Sequence, residues 1–412
     1  MKTEFARTGC HLLDLYFGGG RGLGIPYGAA INLCGDSGSG KSMLGNEMIA
    51  AEYHHRKGDK FDWQYEDGEN GNNFDTTDLY GVDIMGGNLL LSHKKKLALK
   101  PQTVEEMDAR LSLFLELLPK SHFGIYFVDS LDALTDNDKL KRSESRKEEY
   151  EKGKTFDEGT YGMASAKFLS QEFFRNQTAK LQGRKVILGI VSQVREKIGA
   201  SKYQKKLKTS GGKAKKHWMD IEVWFTPIKD LKNEGSDLVN GIFVEVEGIK
   251  SRDGRMKRKA RFLYYTDFGI DDVGTSLTFL YNVRSNSGEF RKTIAGNIPW
   301  EAGAADKPKS DLAGVTAWLE ADKKILDAYR NFRKEIDGKR AIKASTVMEY
   351  KKTTPELQKS YENYFGVPSS FNELRLQIMQ DPKMKKELDK RVTEKWEAIE
   401  EAAKSGLGRK YG

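Results

Sequence analysis

The chain has 412 residues, room for two domains or for one large domain with an appendage. Lys and Arg number 69 against 60 Asp and Glu, a modest net charge of +9, and 38% hydrophobic with 31% charged residues describes a globular, very soluble chain rather than a disordered or fibrous one. No apolar run approaches the roughly 18 residues of a membrane span, the opening MKTEFARTGCHLLD lacks the apolar core of a signal peptide, and a cytoplasmic protein is therefore expected. The two cysteines, Cys10 and Cys34, exclude a disulfide scaffold and a four-cysteine zinc site, and the six scattered His show no metal-ligand spacing.

In chain order, the first candidate strand is Ala30 to Cys34, and a helix is expected from Ser42 to about Arg56, with apolar residues at three- and four-residue spacing. Between them lies GDSGSGKS, residues 35 to 42, which is G-x-x-x-x-G-K-S in the strand-to-helix setting that a phosphate-binding loop requires. Gly35, Gly38 and Gly40 let the backbone turn its N–H groups inward, along with those of Asp36, Ser37 and Ser39, around the phosphates of a nucleotide. Lys41 would reach the β- and γ-phosphates, and the Ser42 hydroxyl would ligate Mg²⁺.

The next strand, Phe61 to Tyr65, runs into three acids, Glu66, Asp67 and Glu69; one of them is expected to orient or deprotonate water, and spacing alone does not say which. After a helix from Thr103 to Leu118, the strand Gly124 to Val128 ends in Asp129, placed to hold the metal through water. A charged stretch, Asp136 to Glu158, precedes a helix expected from Met163 to Leu181. The strand Val186 to Val191 then leads through Gln193 and Arg195 into a basic loop. Between Lys202 and Lys216 there are seven Lys and no acid, with Tyr203 inside and Gly211 and Gly212 near the end. Lys202, Lys205, Lys206, Lys208 and Lys213 offer phosphate contacts, and Tyr203 a ring to stack on or wedge between bases.

Ile221 to Phe225 is a further strand, and Gly241 to Val246 with Arg261 to Tyr265 reads as an edge hairpin around the turn Ser251 to Gly254. Lys250 and Arg252 read locally as turn charges before Asp253-Gly254. Alternating strands and helices predict an α/β fold with a mostly parallel central sheet. Residues 288 to 310, with Pro299 and Pro308, are expected to be a linker, dividing a core of residues 1–287 from a C-terminal helical region of residues 311–412. In that region Leu312, Val315, Leu319, Leu326, Tyr329 and Ile336 form one apolar stripe, and Leu388, Val392, Trp396, Ile399 and Ala403 another.

Over residues 7 to 285 the order of motifs resembles the RecA family of DNA recombinases, including its phage members. TGCHLLDLYFGGGRGLGIPYG resembles the stretch before that family's phosphate loop, and FVDSLDALT its metal-binding segment. YGMASAKFLSQ resembles the helix after the first DNA loop, SQVREKIG and TSGGKA the switch glutamine and the paired glycines that close the second, and EVEGIKSR the strand end that reaches a neighbour. The resemblance implies a RecA-like P-loop ATPase core using ATP and Mg²⁺. It assigns water activation to Glu69, sensing to Gln193 between the γ-phosphate and the DNA loop, and action across a subunit interface to Lys250 and Arg252.

As partners the resemblance implies single-stranded DNA, a homologous duplex and further copies of the chain, in the cytoplasm of a bacterial or phage-infected cell. The phosphate loop begins as early as residue 35, so the filament-forming contact is expected from MKTEFA or from the C-terminal helices. A family-like adenine-stacking aromatic after Glu69 has no counterpart. Other uses of such a core are a ring helicase or translocase, a repair accessory factor, or a nucleotide-gated scaffold.

Overall fold

The computed structural model describes residues 3–57, 60–72, 74–92, 100–137, 173–181, 183–196, 207–209, 218–232, 238–251, 258–281 and 371–402. The expected linker, the stripe from Leu312 to Ile336, the charged stretch after Asn137, the first part of the Met163 to Leu181 helix and Ala403 lie outside these residues. In chain order the described elements begin with β1 (Phe5–Ala6), α1 (His11–Gly18), β2 (Ile25–Pro26), β3 (Ala30–Gly35), α2 (Lys41–His55) and β4 (Phe61–Asp67). There follow α3 (Thr76–Tyr80), α4 (Val104–Leu117), β5 (Phe123–Asp129), α5 (Phe174–Leu181), β6 (Val186–Glu196) and β7 (Leu207–Thr209). Then come β8 (Ile221–Lys232), β9 (Val239–Ser251), β10 (Lys259–Tyr265), β11 (Gly269–Ile270), α6 (Asp272–Tyr281), α7 (Phe371–Gln380) and α8 (Pro382–Ala402).

One compact unit comprises Met1–Asp230 and Gly241–Ile270. Its nine-stranded sheet has the order β11-β10-β9-β8-β3-β6-β5-β4, with β7 paired to β6. β8, β3, β6, β5 and β4 are parallel, and β9, β10 and β11 are antiparallel at one edge. Every residue of β3 and of β5 is buried. Strands that helices cover on both faces have no solvent side, so their sequences are continuous apolar runs. On one face Met107, Leu111 and Phe114 of α4 pack with Leu181, Tyr126, Val128, Leu188 and Ile190. On the other, α2 approaches so closely that a Cβ on Gly45 would meet the Phe127 ring at 2.4 Å, and one on Gly189 would meet it at 2.3 Å. Phe127 fills the space those two glycines leave.

Helix ends follow local chemistry. Thr103 caps α4 by accepting from Glu106 N at 3.1 Å, and Glu106 accepts in return from Gln102 N at 2.7 Å, close to a capping box. The N-terminal segment is fastened by two buried acids. Asp14 accepts from Thr8 N and Oγ1, both at 2.8 Å, and Glu52 of α2 accepts from Arg7 N and Arg56 Nε at 2.7 Å and from Tyr27 Oη at 2.5 Å. In the β9–β10 hairpin the register sets Glu245 opposite Arg261 and Glu247 opposite Lys259.

The second unit comprises Leu231–Asn240 and Asp271–Gly412. Asp271 is buried at the start of α6, accepts from Gly274 N at 2.8 Å and pairs with Arg375 at 2.9 Å. Leu388, Val392 and Trp396 of the predicted stripe are buried, and the Trp396 ring lies 6.3 Å from that of Phe279. Lys395 Nζ donates to the α6 carbonyls of Phe279 at 2.6 Å and Leu280 at 3.2 Å, a cation placed at a helix C-terminus. Asp381 caps α8 through Lys383 N at 2.8 Å, with Pro382 at the first helical position. Among the described residues no helix is long and apolar enough to cross a membrane.

Candidate nucleotide site

The parallel register gathers the candidate residues at the C-terminal ends of the strands, where open α/β sheets bind ligands. Gly35 at the end of β3 lies beside Gln193 of β6, and Asp67 at the end of β4 lies beside Asp129 of β5. From Gly35 the chain turns through Asp36 to Ser39 into α2. Gly38 has φ +70° and Gly40 φ +90°, left-handed backbone that L side chains rarely adopt. A Cβ at Gly35 would meet Phe225 O and Ser39 Oγ at 2.7 Å. The motif's glycines therefore answer to both backbone angle and space.

Lys41 Nζ donates to Asp36 O at 2.6 Å and to Ser39 Oγ at 3.2 Å. Burial lowers its pKa, against the opposing pull of Asp129, Glu69 and Asp36. Asp129 shifts upward, chiefly by burial, while hydrogen bonds from Ser42 and Tyr65 favour its charged form. The Tyr65 hydroxyl donates to Asp129 Oδ2 at 2.6 Å. Ser42 and Asp129 are thus hydrogen-bonded neighbours, hard oxygen donors of the kind that hold Mg²⁺ through one or two protein ligands with water and phosphate completing the shell. Among the described residues no group of three or more His, Cys, Asp and Glu is arranged to hold a metal without such help.

The three acids after β4 have separate surroundings. Glu66 is 1% exposed; Arg110 of α4 grips it with two hydrogen bonds of 2.7 and 2.8 Å, and Tyr126 Oη adds a third at 2.9 Å. Asp67 accepts from Gly71 N and Asn72 N, both at 3.0 Å, and so folds the loop back on itself. Reciprocal amide bonds between Asn72 and Asn46, 3.0 and 3.2 Å, tie that loop to α2. Glu69 is exposed, and its Oε1 accepts from Gln193 Nε2 at 2.9 Å and from the Ser130 hydroxyl. Gln193 N donates to Asp132 Oδ2 at 2.8 Å, and the peptide joining Asp129 to Ser130 is cis. Ser130, Asp132 and Tyr65 were not singled out by the sequence; their only signal is adjacency to the strand-end acids in FVDSLD and WQYED.

Beyond Gln193, β6 continues to Glu196 and pairs with β7, setting Arg195 opposite Lys208 in the backbone register. Lys202, Tyr203, Lys205, Lys206, Gly211, Gly212, Lys213 and Arg252 lie outside the described residues. Lys250 is half-buried near the end of β9.

A parallel α/β sheet with a glycine turn between its central strand β3 and α2, and acids converging from adjacent strand ends, is the architecture of a nucleotide-binding enzyme. The model of the RecA N-terminal domain family matches residues 1–270, and the chain belongs to the RecA family. It is accordingly an NTPase-type enzyme of a family that binds nucleotide and takes part in recombination.

Proposed function

We propose that this chain is a DNA-dependent ATPase that assembles on single-stranded DNA and promotes pairing and strand exchange with a homologous duplex, hydrolysing ATP at interfaces between copies. The observation that carries this reading is the hydrogen bond from Gln193 to Glu69. It ties the exposed acid that follows β4 to the strand that runs on toward the lysine-rich segment, so that nucleotide and DNA act on one side-chain pair.

In this reading the backbone of residues 35 to 42 and the N-terminus of α2 hold the phosphates, and Lys41 leaves Asp36 and Ser39 for the β- and γ-phosphates. Ser42 and Asp129 hold Mg²⁺, which when bound neutralises charge on the phosphates. Glu69 accepts the proton of the water whose oxygen attacks the γ-phosphorus while the bond to the ADP oxygen breaks. Gln193 senses the γ-phosphate. Arg195 and the lysines from Lys202 to Lys213 contact DNA phosphates, with Tyr203 against the bases. Residues 1–287 carry these functions.

Lys250 and Arg252 are assigned to the neighbouring copy's nucleotide. A Cβ on Gly40 would lie 3.7 Å from the Val244 side chain, and Lys250 is six residues farther along the same strand. At about 3.3 Å per residue that is roughly 20 Å, beyond the reach of a lysine side chain. That separation supports assigning Lys250 to a phosphate loop other than its own.

The test is steady-state ATP hydrolysis with and without single-stranded DNA, for the wild type, Lys41→Ala and a variant with the lysines from Lys202 to Lys216 neutralised. DNA stimulation lost in both variants supports the reading. Hydrolysis indifferent to DNA rejects it in favour of an accessory or scaffold role, and electron microscopy with an ATP analogue and DNA separates helical filaments from the closed rings of a helicase.

A further inference from the structure

Glu69 is exposed, and a glutamate free to rotate there gives up rotamer entropy when it is fixed. Two donors from two different strand ends fix it: the Ser130 hydroxyl and Gln193 Nε2 both donate to the same oxygen, Oε1. With Oε1 occupied, Oε2 accepts no hydrogen bond among the described residues and is the oxygen left to accept from water. Ser130 itself is fully buried, and its carbonyl accepts from Ala133 N at 3.2 Å, so its hydroxyl projects from a fixed support. Gly68 N donates to Asp129 O at 2.7 Å, which ties the Glu69 loop to the strand end that carries Ser130. Two residues on, Asp132 accepts from the Gln193 backbone at 2.8 Å. The turn after β5 thus holds both the acid, through Ser130, and its glutamine partner, through Asp132.

We infer that Ser130 is a positioning residue for Glu69, forming with Gln193 a two-point clamp that makes the orientation of the acid depend on the chain segments following β5 and β6 alike. The inference rests on Glu69 being the group that accepts the proton from water. Ser130 acts through Glu69, the group to which its hydroxyl donates. Seating of the segment after β5 becomes a second condition for turnover beside the one Gln193 imposes. Disturbing either support releases the acid, so hydrolysis stays low until both are in place.

The test uses the full-length chain with saturating single-stranded DNA and compares Ser130→Ala, Ser130→Thr, Gln193→Ala, the Ser130→Ala/Gln193→Ala double variant and Glu69→Gln. Ser130→Ala is expected to lower kcat about tenfold, the scale of one lost hydrogen bond to a charged group, with KM for ATP and Tm unchanged. Ser130→Thr, which keeps the hydroxyl, is expected to recover most of the loss. In the Gln193→Ala background the same serine deletion is expected to cost less than about twofold, because groups that act as one unit are not additive. Wild-type kcat in Ser130→Ala overturns the inference. So does a loss that raises KM in parallel, or one that the threonine does not repair and a fallen Tm accompanies, since either marks a purely structural serine. Glu69→Gln separates the two levels: turnover surviving in it refutes the assignment of Glu69, whereas an inactive Glu69→Gln beside a fully active Ser130→Ala refutes the clamp alone.

Discussion

Glu66 and Glu69 are three residues apart, chemically alike, and end up in different surroundings because of what the neighbouring strands and helix offer each. A carboxylate at 1% exposure survives in the interior only when its lone pairs are met, and Arg110 with Tyr126 meets those of Glu66. Nothing in the string YEDGEN predicts this, since the partners come from residues 110 and 126, and the sequence alone leaves all three acids eligible. The consequence is testable as a contrast. Glu66→Ala leaves the Arg110 guanidinium buried without its counter-charge, a change that typically costs 3–5 kcal/mol, and it should lower Tm by on the order of 10 °C in a thermal melt. Glu69→Gln should leave Tm within about a degree and lower DNA-stimulated hydrolysis by about a hundredfold or more, as removal of a general base does. A reversal of the two phenotypes would exchange the residues' roles.

At the scale of elements, the central strands were legible because burial on both faces forces unbroken apolar runs; β3, β4 and β5 begin within a residue of where the sequence places them. The extensions of β6 to Glu196 and β8 to Lys232 were not, because their later halves are polar and owe their strand geometry to pairing rather than composition. Equally hidden was the Glu52 hub, whose partners Arg7, Tyr27 and Arg56 share no motif. The β9–β10 hairpin shows how such pairing responds to pH. Burial alone would raise the Glu245 pKa, but Lys259 at 2.6 Å and Arg261 at 2.8 Å outweigh it and hold the carboxyl below its usual range. A depressed folded-state value adds stability that is complete above the unfolded pKa, about 4.3, and is lost as pH falls through the folded value. Urea midpoints measured at pH 7, 5 and 3 should therefore drop more steeply for the wild type than for Glu245→Gln, with the difference confined to the range below about pH 5. In the second unit, Trp396 is 2% exposed, and truncating a buried aromatic side chain typically costs 3–5 kcal/mol. Trp396→Ala should expose α8 to limited proteolysis while ATP hydrolysis per folded molecule persists.

For the whole molecule, the decisive question is whether one copy contains a complete site. Lys41, Ser42, Asp129, Glu69 and Gln193 converge in a single chain, whereas Lys250 is carried away from the same chain's glycine loop by the length of β9. A contact in which one face of each copy meets a different face of the next is heterologous, and it generates rings or open filaments. On the proposed assignment each interface would join one copy's phosphate loop to its neighbour's Lys250 and Arg252. Two crippled chains can in that case repair one another. Lys41→Ala spoils the phosphate loop and leaves the strand end intact, while a Lys250→Ala/Arg252→Ala chain has the opposite defect. Each should be inactive alone. Mixed in equal amounts with DNA and ATP, random assembly puts an intact loop against an intact strand end at about a quarter of the interfaces, and hydrolysis should rise to about that share of wild type. Activity that stays at background in the mixture, while both variants still co-assemble on DNA, would mean that Lys250 and Arg252 do not act across the interface and would return the whole catalytic set to one chain.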